Sequence, residues 1–282
     1  MEKRTFGRTG ENVSVIGMGT WYDSSYIATA KLTGKGSGFQ QKVAGLRRGI
    51  ELGMNFIDTA EMYMSEPVVA EAIKGENRDD LFIATKVWTD HMKYDDVLKA
   101  AERSRERLGL KYIDLYQIHW PNPSVPLKET LRAMEKLVYD GTVRYIGVCN
   151  FSVELLEEAK ECLAKVELVS DQIEYNLTHR GVERDILPYC EQNNLAVIAY
   201  RPVAHGSLAN PRGRLKEAMD VVSKKYNKTY SQIAINWLKV KSDKVIPIPR
   251  ISNAERAEED AGAAGWSLQP DDMQYLEDAA SQ

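Results

Sequence analysis

The sequence predicts a single (β/α)8 barrel, and three observations carry the prediction. Eight short apolar runs alternate with amphipathic helical patterns. The runs are apolar on both faces, as parallel strands covered by helices must be. No stretch rich in Pro, Gly or Ser divides the 282 residues, and one barrel of this kind takes about 250. A doubly wound dinucleotide-binding sheet is disfavoured, because no G-x-G-x-x-G follows the first run.

Taken in order, the chain opens with "RTFGRTGENVSVIGMG", which reads as a hairpin turning at Arg8 to Gly10 before a first barrel strand at Val13 to Gly19. Tyr22 to Gln40 is polar and Gly-containing and reads as a long loop on the C-terminal side of strand one, a length usually tied to a lid or binding role. Strands two to four are read at Met54–Ala60, Leu81–Val87 and Tyr112–Trp120. Strands five to eight follow at Val143–Phe151, Val169–Asn176, Leu195–Pro202 and Lys244–Pro249. Helical patterns such as "YDDVLKAAERSRERLGL" and "LKETLRAMEKLVYDG" separate them, with Gly109 and Gly141 placed to stop helices and Ser152 placed as an N-cap. Lys228–Val240 reads as an additional helix before the last strand, and the tail after Gly265 as one short helix at most.

Composition narrows the function classes. Hydrophobic residues make up 43% and charged residues 28%, with a net charge of -4. That balance suits a soluble globular protein and gives no reason to expect nucleic acid or an anionic membrane as partner. The N-terminus "MEKRTFGRTG" lacks the apolar stretch of a signal peptide, so the cytoplasm is the expected compartment. The three cysteines, Cys149, Cys162 and Cys190, have neither C-x-x-C nor Cys/His spacing, which argues against a disulfide framework and a zinc site. His179 and His205 likewise lack partners at metal spacing, so no metal is expected. His91 follows strand three near Trp88, within potential reach of a substrate. Oligomeric state is not legible.

Four side chains carry the chemistry: Asp58 and Tyr63 in "FIDTAEMY", Lys86 in "LFIATKV" and His119 in "DLYQIHW". Each falls where a strand runs out into a loop, and in a parallel barrel those ends converge on one face. A phenol with an ordinary pKa of about 10 is a weak donor at neutral pH. A lysine in low dielectric strengthens it by favouring the phenolate, and a carboxylate makes burial of that lysine tolerable. Lys86 with Asp58 is therefore expected to lower the Tyr63 pKa, while His119 orients a carbonyl or shares the proton. Singly, each residue has a plainer reading: Asp58 as a turn cap, Lys86 snorkelling to solvent, His119 as a satisfied core histidine. All three plain readings would have to hold together, each at a strand's C-terminal end.

With those residues stated, the chain closely resembles the aldo-keto reductase family. The likeness covers "FGRTGENVSVIGMGTW", "GMNFIDTAEMYMSEPVVAEAI", "IATKVW", "IDLYQIHWP", "VRYIGVCNFS", "DQIEYN", "VIAYRPV" and "VIPIPRISNAERAEED", in the family's order. It implies NADPH-dependent reduction of an aldehyde or ketone, with NADH as the lesser candidate. In it Tyr63 resembles the general acid, Asp58 and Lys86 the pair tuning it, and His119 the orienting imidazole. The resemblance further implies that Asn150 and Gln172 hold the nicotinamide carboxamide and that Tyr200 stacks on the ring. Gly19, Thr20 and Trp21 match the first-strand loop, and Leu208 and Ile248 join the implied cofactor contacts. Trp21, Trp88 and Trp120 would wall the substrate pocket. Arg250, Ser252, Asn253 and Arg256 match the adenosine end, where two guanidiniums suit a 2′-phosphate; Glu259 and Asp260 would face the adenine. The plainer reading there is that both arginines pair with acids such as Glu255 and Glu258.

Three positions depart from the family pattern: Cys149 for a serine, Arg201 for a serine, which reaches either an anion or solvent, and Asp260 for an asparagine. Two further function classes stay open on the residues alone. One is a cofactor-binding redox-sensing or regulatory subunit with little turnover. The other is a barrel isomerase or aldolase using Lys86 as a Schiff base.

Overall fold

A two-stranded antiparallel hairpin, β1 (Lys3–Thr5) and β2 (Asn12–Ser14), precedes eight parallel strands in the computed structural model, which describes residues 1–281. The barrel strands are β3 (Met18–Gly19), β4 (Phe56–Asp58), β5 (Phe82–Val87), β6 (Ile113–Ile118), β7 (Val143–Cys149), β8 (Leu168–Glu174), β9 (Ala196–Tyr200) and β10 (Val245–Pro247). Neighbours in sequence are neighbours in the sheet. Closure between first and last strand comes from backbone bonds: Gly17 N–H to Pro247 O at 2.9 Å, Gly19 N–H to Pro249 O at 2.8 Å, and Ile251 N–H to Gly19 O at 3.0 Å. Glycine is required at that seam. A Cβ on Gly19 would lie 2.9 Å from the Ile248 carbonyl oxygen.

The hairpin plugs the N-terminal end of the barrel. Phe6 packs on Phe56 and Phe82, ring centroids 5.6 and 4.8 Å away, within a buried cluster that includes Leu115, Val169 and Ile198. That floor closes the N-terminal end, and sites in such barrels form at the opposite, C-terminal mouth.

Helices α1 (Ser24–Thr33), α2 (Phe39–Glu51), α3 (Glu66–Ala72), α4 (Tyr94–Leu108), α5 (Leu127–Tyr139) and α6 (Val153–Cys162) cover the first half of the barrel. The second half carries α7 (Ile186–Gln192), α8 (Gly213–Tyr226), α9 (Tyr230–Lys241), α10 (Ala254–Ala261) and α11 (Pro270–Ala280). Gly109 ends α4 in the left-handed conformation at φ 65, and the Ser152 side chain caps α6 by accepting from the Leu155 N–H. The additional helix before the last strand is present as α9, capped by a Thr229–Gln232 capping box.

Two expectations are corrected. The run at Val13–Gly19 is divided: Val13 and Ser14 pair in the hairpin, and only Met18 and Gly19 belong to the barrel sheet. Tyr22–Gln40 is not a structureless loop. Asp23 caps α1 by accepting from the Tyr26 N–H, Gly34 terminates it at φ 75, and Tyr26 and Ala30 are buried. With only two buried positions and polar residues between them, the helix leaves almost no apolar period to read.

Among the described residues no helix is long and apolar enough to cross a membrane. No group of three or more potential metal-ligating side chains occurs among them either.

Candidate active site

The strand ends bring Asp58, Tyr63, Lys86 and His119 together at the barrel mouth. β4 and β5 are adjacent, so Asp58 at the end of one faces Lys86 near the end of the other. Lys86 Nζ donates to Asp58 Oδ1 at 2.6 Å, to the Thr59 carbonyl at 2.9 Å and to Tyr63 Oη at 3.5 Å. Tyr63 sits on a short 3-10 turn, Glu61–Tyr63, that carries its hydroxyl back over β5. Its Oη lies 3.2 Å from His119 Nε2. Asp58 Oδ2 accepts from Gln172 Nε2 at 3.1 Å and from Gln117 Nε2 at 3.4 Å. Lys86 is fully buried and Asp58 nearly so, while Tyr63 and His119 keep 9% and 7% exposure. The pair is thus sealed, and the two groups that would meet a substrate touch solvent.

These surroundings sort the protonation states. Burial pushes the Tyr63 phenol up to about 12, with the Lys86 charge acting downward and the Asp58 charge upward. The expected net lowering is therefore corrected, because desolvation outweighs the ammonium. Burial alone would lower Lys86, but Asp58 and Tyr63 more than offset it and its pKa is raised. Burial, then the Lys86 charge, brings His119 down to about 2, so the imidazole is neutral at physiological pH. Its Nδ1 is buried without a partner. An orphaned N–H is costlier than an orphaned acceptor, which places the ring proton on Nε2, facing Tyr63.

Aromatic walls stand beside this group. Trp88 meets His119 edge-to-face at 5.1 Å, and Trp21 and Trp120 are 38% and 43% exposed at the same mouth. Sequence reasoning passed over Glu61, although it lies inside the quoted "FIDTAEMY" segment. Its buried carboxylate accepts from the Trp88 backbone N–H at 2.5 Å and lies 3.0 Å from His91 Nδ1, tying the loop that bears Tyr63 to the loop that bears Trp88. His91 is held there by Glu61. Gln117, the second donor to Asp58 Oδ2, was also missed, since a glutamine in an apolar strand gives no distinguishing signal.

The residues proposed for a nicotinamide cluster on the next strands. Asn150 adopts φ 61, a left-handed conformation that asparagine tolerates. Its Oδ1 accepts from Tyr200 Oη at 2.9 Å and its Nδ2 donates to the His119 carbonyl at 3.3 Å. Tyr200 is half-buried. Thr20 is buried, donating to the Asp58 carbonyl at 3.0 Å. Cys149 is buried, with Sγ 3.8 Å from Gln117 Oε1. Arg201, at φ 54, pairs with Glu174 at 2.8 Å rather than standing free. Leu208 and Ile248 are buried apolar side chains, packed in the outer core and the barrel interior respectively.

At the far end, Asn253 caps α10 by accepting from the Arg256 N–H. Arg256 pairs with Glu259 at 2.7 Å, so the plainer reading holds for this arginine with a different acid; Glu258 pairs instead with Arg48. Arg250 donates to the Tyr22 carbonyl at 2.5 Å. Ser252 is half-buried. Asp260, expected to face the adenine, is 1% exposed with both carboxylate oxygens free of hydrogen bonds among the described residues, and burial raises its pKa well above the carboxylate range.

Comparison with known proteins bears on this geometry. The family model "Aldo/keto reductase family" matches residues 15–281. Methylglyoxal reductase YeaE of Escherichia coli is 32% identical, over 99% of this chain and 95% of its own length. Glyoxal reductase of Bacillus subtilis is 34% identical over 82% of this chain and 81% of its own. Among solved structures, the thermostable aldo-keto reductase Tm1743, in complex with the inhibitor epalrestat, superposes with a TM-score of 0.88 at 36% identity, covering 99% of this chain and 100% of that one. An aldo-keto reductase from Klebsiella pneumoniae in complex with NADPH gives 0.85 at 33% identity, covering 98% and 94%. A match over nearly the whole chain, on a closed barrel with these four side chains at its mouth, makes the protein an oxidoreductase belonging to the aldo/keto reductase family.

Proposed function

We propose that the protein reduces a small aldehyde or ketone to the alcohol, reversibly, with NADPH as reductant and Tyr63 as proton donor. The observation that carries the reading is the Tyr63 hydroxyl held between two nitrogens, Lys86 Nζ at 3.5 Å and His119 Nε2 at 3.2 Å, at a mouth lined by indoles. The names of the relatives favour short dicarbonyls as first substrates.

The residues present fit a nicotinamide dinucleotide. Gln172 Oε1 receives no protein donor among the described residues, and Asn150 places a second amide beside it, so a carboxamide would find both donor and acceptor. Tyr200 offers a half-exposed ring face, and Arg250 stands at the phosphate end. When bound, the nicotinamide supplies the hydride that reaches the carbonyl carbon.

The chain's own residues do the rest. Tyr63 is protonated at neutral pH and gives its proton to the substrate oxygen. Lys86 stabilises the phenolate left behind, and Asp58 holds that ammonium in place. His119, neutral, orients the oxygen through Nε2–H and is too weak a base to take the proton itself. The indoles of Trp21, Trp88 and Trp120 exclude water. In the reverse direction the phenolate is the base, so alcohol oxidation rises with pH.

Tyr63→Phe is the test. NADPH consumption with methylglyoxal, glyoxal and simple aldehydes should fall about 100- to 10,000-fold, while NADPH binding stays near wild type. Turnover retained by the variant overturns the assignment of the donor. Wild-type protein that binds NADPH yet turns over no carbonyl would favour the regulatory reading.

A further inference from the structure

Three buried hydroxyls link two strand ends to the turn that carries Tyr63. Thr20 follows β3, Thr59 follows β4, and Ser65 lies two residues beyond Tyr63. All three residues are fully buried. Thr20 Oγ1 donates to the Asp58 carbonyl at 3.0 Å and lies 2.9 Å from Ser65 Oγ, which lies 3.0 Å from Thr59 Oγ1. Each hydroxyl carries one proton. Thr20 spends its proton on the carbonyl and therefore accepts from Ser65. Ser65, its own proton spent, accepts from Thr59. The chain runs in one direction, from Thr59 through Ser65 and Thr20 to the Asp58 carbonyl.

Ser65 has an ordinary task open to it and does not perform it. It stands at the N-cap of α3, where a serine hydroxyl usually accepts from an N–H of the first turn. Among the described residues its side chain makes no capping bond, and it turns to the two strand ends instead. Met64, between Tyr63 and Ser65, is held at φ 58, a left-handed conformation that a methionine keeps only where its surroundings impose it. Glu66, the next residue, is buried and accepts from Thr85 Oγ1 at 2.7 Å. The turn is thus fastened just beyond its strained residue. The chain also begins and ends on the two residues that hold Lys86, which donates to the Asp58 carboxylate and to the Thr59 carbonyl.

We infer that Ser65 is a positioning residue for the reaction: through Thr59 and Thr20 it sets the Tyr63 hydroxyl against Lys86 Nζ, 3.5 Å apart. The inference rests on the proposed reading of Tyr63 as proton donor. Ser65 is fully buried and meets neither substrate nor cofactor, so it acts only through the groups it ties together. Removing its hydroxyl leaves the Thr59 O–H without an acceptor and the Thr20 oxygen without a donor, both buried. Groups left in that state are costly, so the turn and the strand ends shift to repair them. The contact between phenol and ammonium is the longest of the three that Lys86 makes and has the least to hold it.

Steady-state kinetics of the full-length protein, on the small aldehyde that wild type reduces fastest, test it alongside NADPH titrations read by tryptophan fluorescence. Ser65→Ala should lower kcat about 10- to 100-fold, the scale of a small misplacement of a reacting group. KM and NADPH affinity should stay within about two-fold, as for a contact that matters only in the transition state. Thr59→Val keeps the shape and removes the first donor, and should lower kcat in the same way. Thr59→Ser restores the hydroxyl alone and should return most of the loss. A wild-type kcat in Ser65→Ala overturns the inference. So does a common decline of kcat, substrate binding and NADPH affinity, which marks general loosening. Thr59→Ser as impaired as Thr59→Val overturns it too, since the methyl group would then carry the effect. Should Ser65→Ala fail to fold, the Thr59 pair decides. An unimpaired Ser65→Ala beside an inactive Tyr63→Phe removes the inference alone. Wild-type protein without turnover, or Tyr63→Phe with it, removes the donor reading and the inference together.

Discussion

Replacing His119 by Gln tests the protonation states on which the proposed chemistry depends. The imidazole is 7% exposed, and burial together with the Lys86 charge brings its pKa from 6.5 to about 2. In the unfolded chain it titrates normally. Below pH 6.5 the unfolded state therefore binds a proton that the folded state refuses, and stability falls by about 1.4 kcal/mol per pH unit. The contribution is complete above the unfolded pKa and is lost as pH falls toward the folded one. From about pH 7.5 to about pH 5 it amounts to about 2 kcal/mol. Other groups titrate in that range as well, so the informative quantity is the difference between wild type and variant. Glutamine keeps an N–H near Tyr63 and never charges. Urea unfolding of both proteins at the two pH values should show wild type losing about 2 kcal/mol more than His119→Gln. A difference that stays constant with pH would mean that the folded protein tolerates an imidazolium. The assignment of His119 as a neutral orienting donor would then fall.

Two further substitutions probe how the mouth is built. Glu61→Ala removes the acceptor of the Trp88 N–H and the partner of His91, and should raise KM for small aldehydes several-fold while kcat moves less. Glu61→Gln, which still accepts that N–H, should recover most of the loss; steady-state kinetics that split kcat from KM decide it, and an unchanged KM in the alanine variant refutes the positioning role. Gly19→Ala would put a methyl against the Ile248 carbonyl at the closing seam and should cost about 1–3 kcal/mol in urea unfolding; stability within error of wild type would show that the seam yields.

The fold and the four central residues were legible because both follow from local pattern. Buried parallel strands read as short apolar runs, and Asp58, Lys86 and His119 interrupt those runs at their ends, where only a site or a cap tolerates them. The helix α1 was not legible, since its capping by Asp23 and Gly34 is a matter of conformation and only Tyr26 and Ala30 face inward. Nor was the division of the first strand, because Val13–Gly19 is continuously apolar and nothing in the residues marks where the hairpin ends. The Tyr63 pKa was misjudged for a different reason. A sequence names the ammonium that would lower it but gives no measure of how completely the phenol is desolvated. Glu61 acts through a backbone N–H of a neighbouring loop, and that leaves no trace in residue type.

The three donors of Lys86 explain why a buried ion pair stands where apolar packing would be more stable. Two of them are satisfied at short range, by Asp58 at 2.6 Å and the Thr59 carbonyl at 2.9 Å. The third reaches Tyr63 Oη at 3.5 Å, the longest of the three and the one directed at the proposed reacting atom. In the resting protein that oxygen is a neutral phenol and gains little from the ammonium. In the proposed step negative charge grows on Oη as the proton leaves, and the same contact becomes a charge-assisted bond at a largely buried position. The interaction is thus weak before the reaction and strong during it, which is the condition for a contact to accelerate the step rather than merely bind. Gln172 and Gln117 donate to the far oxygen of Asp58, so the carboxylate that holds the ammonium is itself held from the other side.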